Sequence, residues 1–216
     1  MLPISMGGEE AFLSRGVGSV NDASAGAGSV TIGGECPSPR RPPIECGDLP
    51  FVIRRDGVWF YRGSAIERKE MVCLFASVLK RETDGSWWLV TPAERGRIVV
   101  EDAPFVAVEL NWAGDGAEQV LSFRTNIDQV VTADRAHPIR VAFEPGSEDP
   151  VPYIVLRDGA GAFAIEARIN RATYYELVAL AVPERVGDHD MVGVWSRGVF
   201  FPLGALPPEE TDWDDA

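Results

Sequence analysis

RDGVWFYRGSAIERKEMVCL, residues 55–74, is the stretch on which the reading of the fold turns. Arg55-Asp56-Gly57 sits between two apolar runs, Phe51-Val52-Ile53 and Val58-Trp59-Phe60-Tyr61. Asp and Gly tolerate positive φ, so Asp56-Gly57 reads as a tight turn joining two strands. The second half of the stretch changes period. Met71, Leu74, Phe75, Val78 and Leu79 recur at i, i+3, i+4, i+7 and i+8, the spacing of one core-facing helical stripe. Ser64 with Glu67 reads as a capping box at the start of that helix.

The same order recurs downstream. Arg157-Asp158-Gly159 matches Arg55-Asp56-Gly57, Ile169-x-Arg171 matches Ile66-x-Arg68, and Leu177 matches Leu74, with one residue inserted between turn and helix. Each copy then reads as strand, Asp-Gly turn, strand, and Ile-x-Arg opening an amphipathic helix. The pattern points to a duplicated unit. Residues 170–181 form the second helix in this reading. Asn170 caps it, Tyr174, Leu177, Val178 and Ala181 face inward, and Pro183 stops it. Further strand pairs are WWLV with GRIVVE, VAVEL with QVLSFRT across AGDG, and the two arms of VGVWSRGVFFPLG around Arg197-Gly198, while IRVAF and YIVL continue the sheet signal. The expected class is α+β. It consists of two related halves, each a mostly antiparallel sheet with one main helix.

The flanks differ from this patterned region. Residues 1–47, with GVGSVNDASAGAGSVTIGG and PSPRRPP, are small, Gly- and Pro-rich and aperiodic, which predicts a flexible leader. Residues 48–112 are expected as the N-terminal half, 113–206 as the C-terminal half, and 207–216 as an acidic tail carrying Trp213.

The bulk numbers exclude several functions. The 216 residues are 45% apolar, enough for a substantial core, and no run approaches the roughly 18 apolar residues of a membrane helix. Without a basic start and apolar h-region in the leader, a cytoplasmic location is expected. A net charge of −13 repels long nucleic acids and anionic membranes, so neither is an expected partner. A local arginine cluster still attracts a small anion, because distant charges are screened. Three scattered cysteines, Cys36, Cys46 and Cys73, form no disulfide framework. Cys73, inside the helical pattern, reads as an inert thiol. With two histidines, His137 and His189, and no ligand spacing, neither a zinc site nor any other cofactor is expected.

GDLPFVIRRDGVWFYRGSAIERKEMVCLFASVLKRETDGSWWLVTPAERGRIVVEDAPFVAVEL resembles the bacterial family DUF1285, whose function is unknown. The resemblance continues through SFRTNIDQVV, AHPIRV and VGVWSRGVFFPL and covers roughly residues 42–204. W-F-Y-x-G-S-x-I-x-R, T-P-x-E and E-D-A-P-F are specific as a chain of motifs. Ala65, where proline is expected after Gly-Ser, and Trp88 depart from the pattern. The resemblance implies a duplicated α+β architecture with a pleckstrin-homology-like second half. It also implies a nucleotide-like ligand where the halves meet, and a role in signalling. No catalytic residue carries over.

The residues themselves offer several constellations. Trp59 beside Arg62 presents a stacking face next to a cation, or simply covers one face of a strand. Arg68 and Arg171, near helix starts, add positive charge where anions bind, or are solvated. Arg124-Thr125-Asn126 places donors at a strand end, or makes an Asn turn. Glu94, Glu101 and Asp102 invite a magnesium or acid/base reading. Against it, Asp102 before Ala-Pro suits a turn, and Glu101 and Asp102 alternate faces. No G-x-S-x-G and no Walker-type loop is present.

The leading expectation is a regulatory, signalling module, not an enzyme, that binds a small anionic ligand between its halves. Arg62, Arg68, Arg124 and Asn126 are its expected contacts and Trp59 its stacking platform. The alternatives are a metal-assisted phosphohydrolase using Glu94, Glu101 and Asp102, and a protein-interaction module whose partner is another protein, without a small ligand.

Overall fold

Alternating apolar runs separated by Gly-containing turns build sheets, and the two helical patterns build one helix each. The computed structural model describes residues 42–143, 146 and 149–206, all within one compact unit. The expected tail and nearly all of the expected leader lie outside the described residues. The leader's last few do not, because the first strand, β1, begins at Ile44.

The first half contains β1 (Ile44–Ile53), β2 (Trp59–Tyr61), β3 (Ser64–Ala65), α1 (Lys69–Ser77), β4 (Leu79–Arg81), β5 (Trp87–Val90) and β6 (Glu94–Val100). They form one sheet in the order β3-β2-β1-β6-β5-β4, antiparallel except where β1 runs parallel to β6. The second half contains β7 (Phe105–Ala113), β8 (Val120–Thr125), β9 (Val130–Thr132), β10 (Ile139–Phe143), β11 (Pro150–Asp158), β12 (Ala164–Ile169) and α2 (Arg171–Ala179). After α2 come β13 (Val182–Val186), β14 (His189–Ser196) and β15 (Val199–Ala205). Its main sheet runs β10-β11-β12-β7-β8-β9, with a single parallel pairing, β12 to β7. The last three strands make a separate antiparallel sheet.

The duplication is visible in this order. β1–β2–α1 is followed by the meander β4–β5–β6, and β11–β12–α2 by the meander β13–β14–β15. The copies then diverge. The first meander joins its own hairpin through β1 and β6, whereas the second hairpin takes β7 as its parallel neighbour. Because β7 pairs within the second sheet, the change of sheet falls between β6 and β7, ahead of the expected boundary at 112/113.

The expected strand pairs are present, β5 with β6, β7 with β8 and β14 with β15, and the IRVAF and YIVL strands, β10 and β11, pair with each other. Asn170 caps α2 by accepting from the Thr173 N–H at 2.8 Å. Three details of the local reading are corrected. Ser64 does not cap α1. Arg62 and Gly63 both take positive φ, 51° and 83°, and turn the chain into an extra strand, β3, so the N-cap moves to Arg68. The buried face of α1 is Val72 and Ala76, while Met71 and Leu74 of the expected stripe face solvent and Leu79 is buried in β4. On α2, Leu177 is buried as expected, but Val178 is exposed. The two Asp-Gly turns also differ: Gly57 has φ 79°, whereas the second turn places its positive φ at Gly161 instead of Gly159.

The main core runs through both halves, from Ile53, Trp59 and Leu79 to Phe105, Phe123, Ile154 and Leu177. The halves therefore share one hydrophobic interior, and polar groups line its margins.

Candidate functional site

Where the first Asp-Gly turn meets the second half, the seam is held by side chains. Asn126 accepts from the Val106 N–H at 3.2 Å and donates Nδ2–H to the Gly57 carbonyl at 3.1 Å. The neighbouring Arg55 N–H donates to Glu101 Oε2 at 3.0 Å. The second Arg-Asp-Gly also bridges the halves: Arg157 Nη2 donates to the carbonyls of Ala76 and Leu79, at 2.9 and 3.3 Å, at the C-terminal end of α1. Burial lowers the Arg157 pKa from its ordinary value.

The connector between the halves carries Asp102, and strand alternation places its partners. Tyr153 on β11 sits opposite Arg168 on β12 and Arg140 on β10. Asp102 accepts from Tyr153 OH and from Arg168 Nη1, both at 2.7 Å. Burial, then the bond to Asp102, raises the Tyr153 pKa well above the ordinary phenol value. Arg140 lies over the Tyr153 ring at 4.3 Å and pairs bidentately with Glu166 at 2.5 and 2.6 Å. Arg81 crosses from β4, donating to the Ala164 carbonyl at 2.7 Å between the rings of Trp87 and Phe163. Its pKa is lowered, chiefly by burial. Arg81, Trp87, Asp102, Arg140, Tyr153 and Glu166 line a small polar hollow of about 130 Å³.

A larger cavity of about 370 Å³ opens beside it. Arg55 comes from the first turn, Arg168 and Ile169 from the end of β12, Arg171, Tyr174 and Tyr175 from α2, and Asp149 to Pro152 from the start of β11. Arg171 Nε donates to Tyr175 OH at 2.8 Å. Three guanidinium groups and two phenol rings thus line one hollow between the halves, in a chain of net charge −13. Such a set suits a small anion carrying a ring, with bidentate donors for the anion and aromatic faces for the ring.

The expected contacts sit elsewhere. Trp59 is 1% exposed, with its ring stacked on Phe75 at 6.4 Å, so it offers no face to a ligand. Arg62 occupies the exposed β2–β3 turn over the Tyr61 ring, and Arg68 is the α1 N-cap. Arg124 is tied to Glu109 through Nε at 2.8 Å and to Asp128 at 3.1 Å, and Lys69 also holds Asp128 at 2.5 Å. Asn126 is consumed in joining the halves. Glu94, Glu101 and Asp102 do not converge: Glu94 is exposed beside the Thr91 turn, Glu101 accepts from Arg55, and Asp102 holds Tyr153 and Arg168. Among the described residues no group of three or more His, Cys, Asp or Glu is placed to hold a metal ion. Cys73 is half-buried and directs its thiol at the Ile127 carbonyl, 3.8 Å away. No helix among the described residues is long and apolar enough to cross a membrane.

Of the cavity's cations, Arg171 stood out in the sequence as an anion contact, through Ile-x-Arg, whereas Arg55 read only as part of the Arg-Asp-Gly turn. The signal for Arg168 was Glu166-x-Arg168, two charges on one face of an otherwise apolar strand.

Comparison with known proteins agrees with this architecture. Residues 37–103 match the N-terminal domain, and residues 104–203 the C-terminal domain, of DUF1285, described as a protein of unknown function. The crystal structure of a DUF1285 family protein from Silicibacter pomeroyi DSS-3 is 42% identical. That match covers 82% of this chain and 92% of the other, with a TM-score of 0.68. A DUF1285 family protein from Shewanella baltica OS155 is 27% identical over 61% of this chain and 91% of the other, with a TM-score of 0.45. No curated protein matches.

Proposed function

The chain belongs to the DUF1285 family, and from that premise we propose that it is a non-enzymatic regulatory module that binds a small anionic, nucleotide-like ligand between its two halves. The observation that carries this reading is the convergence of Arg55 from one half with Arg168 and Arg171 from the other around the 370 Å³ cavity. Three guanidinium groups outnumber the one carboxylate on the cavity wall, Asp149, and the remaining excess of acid is screened, so the site attracts an anion that the chain as a whole repels. A phosphate meets the arginine donors and a base meets Tyr174 or Tyr175.

The signalling step follows from Arg168. Its guanidinium both lines the cavity and holds Asp102 of the connector. An anion that engages Arg168 competes with Asp102 for the same donors, weakens the anchorage of the connector, and shifts one half against the other. A ligand does this only by binding the shifted arrangement more tightly than the resting one.

A thermal-shift series with adenosine, AMP, ADP and pyrophosphate tests the reading, because a ligand that prefers the native state raises its melting temperature. The phosphorylated nucleotides should stabilise the protein and adenosine should not. Absence of any shift across the series would refute the site.

A further inference from the structure

A third hollow, of about 560 Å³, lies wholly within the first half, between the β2–β3 hairpin and α1. Its volume is that of a small-molecule site, roughly 300–1,000 Å³. Its walls are apolar: Phe51, Tyr61, Ile66, Met71 and Phe75. Folding leaves this surface open, with Tyr61 39% and Met71 42% exposed, and Leu74 beside them on the helix 64% exposed. Met71 and Leu74, which read as core in the sequence, therefore face outward, while Phe75, Val78 and Leu79 of the same stripe pack on the core.

The polar groups gather at one end. Arg68 lines the hollow at the start of α1, where no side chain caps the helix, and among the described residues no carboxylate pairs with it. Ser64 Oγ lies on the same rim, likewise without a protein partner among the described residues. Glu67 is there too. Arg68 offers a head group its cation, and the Glu67 carboxylate on the same wall disfavours a multiply charged head more than a singly charged one.

We infer that this groove binds a monoanionic amphiphile, a medium-chain carboxylate, with its apolar chain along Phe51, Met71 and Phe75 and its head on Arg68. The inference is independent of the ligand proposed for the seam. The apolar chain gains free energy with each buried methylene, and the head contributes a charge-assisted hydrogen bond.

Isothermal titration of the full chain with decanoate, decanol and acetate, joined to light scattering of the free protein, tests it. Decanoate should bind saturably, and decanol and acetate roughly tenfold or more weakly. Arg68→Ala should bring decanoate down to the level of decanol, and Met71→Asp should abolish binding. Both positions are exposed, and circular dichroism verifies that the variants fold. The comparison of decanoate with decanol needs no variant. Equal binding of the two, an unchanged Arg68→Ala, or no saturable binding would overturn the inference. So would a dimer that Met71→Asp dissociates and decanoate leaves intact, which would assign the face to a second copy.

Discussion

Asn126 and Gly57 touch across the two halves: the Asn126 amide donates to the Gly57 carbonyl at 3.1 Å, and Gly57 adopts φ 79° to present it. A Cβ at position 57 would lie 2.8 Å from both Asn126 Nδ2 and Val106 Cγ2. Conformation and space thus both require glycine here, and a turn motif doubles as a docking point.

Gly57→Ala should therefore lower the urea midpoint by the equivalent of about 1–3 kcal/mol for the forced φ, plus the cost of displacing Asn126. Gly63→Ala is the control. Gly63 has φ 83° with nothing within 4 Å of its Cβ position, so it carries only the conformational part. Equal losses for the two variants would show that the Asn126 contact is unimportant.

The Arg157 guanidinium closes the C-terminal end of α1 from the other half. Arg157→Ala should cost about 1–3 kcal/mol, because the Ala76 and Leu79 carbonyls lose a charged donor. Amide hydrogen exchange should then rise in α1 before it rises in β7 or β8. Uniform acceleration across the chain would mean that the contact is not specific to that helix.

Acid sensitivity follows from the carboxylates around Arg124. The Glu109 pKa is held below its ordinary value by hydrogen bonds from Asn111 and then Arg124, and that of Asp128 by Lys69 and then Arg124. A carboxylate with a depressed folded pKa stabilises the protein above its unfolded value of about 4, and the contribution is lost as pH falls through the folded value. Both groups are solvent-accessible and salt-screened, so the effect is small. Glu109→Gln with Asp128→Asn should lower stability slightly at neutral pH, leave it unchanged well below pH ~4 where the contribution is already lost, and so flatten the acid limb. An unaltered acid limb would contradict the assignment.

The strand pairs were legible because alternation and Gly turns are local. Arg197-Gly198, with φ 49° and 71°, is one such turn. The direction of α1 was not legible. Val72 and Ala76 share the helix with Met71, Leu74 and Phe75, so periodicity finds an apolar helix without telling which face meets the core. Trp59 looked like a platform, but it and Tyr61 share one strand face against Phe51 and Phe75, where Trp59 is covered and only Tyr61, at the margin, stays open. Arg55, Arg168 and Arg171 are far apart in sequence. Only the pairing of β12 with β7 and the docking of the first turn bring them together. That convergence is a property of long-range packing, which no local motif records. Arg124 and Asn126, by contrast, have donor chemistry that anion binding requires, spent on neighbours the sequence does not reveal.

Recognition at the seam is tested most directly by calorimetric titration of ADP into the wild-type chain, Arg171→Ala and Arg124→Ala. Saturable binding is expected to weaken roughly tenfold or more in Arg171→Ala, whose guanidinium lines the cavity, and to persist in Arg124→Ala, whose guanidinium is committed to Glu109 and Asp128. No heat of binding in the wild type, or equal affinity in wild type and Arg171→Ala, would contradict it.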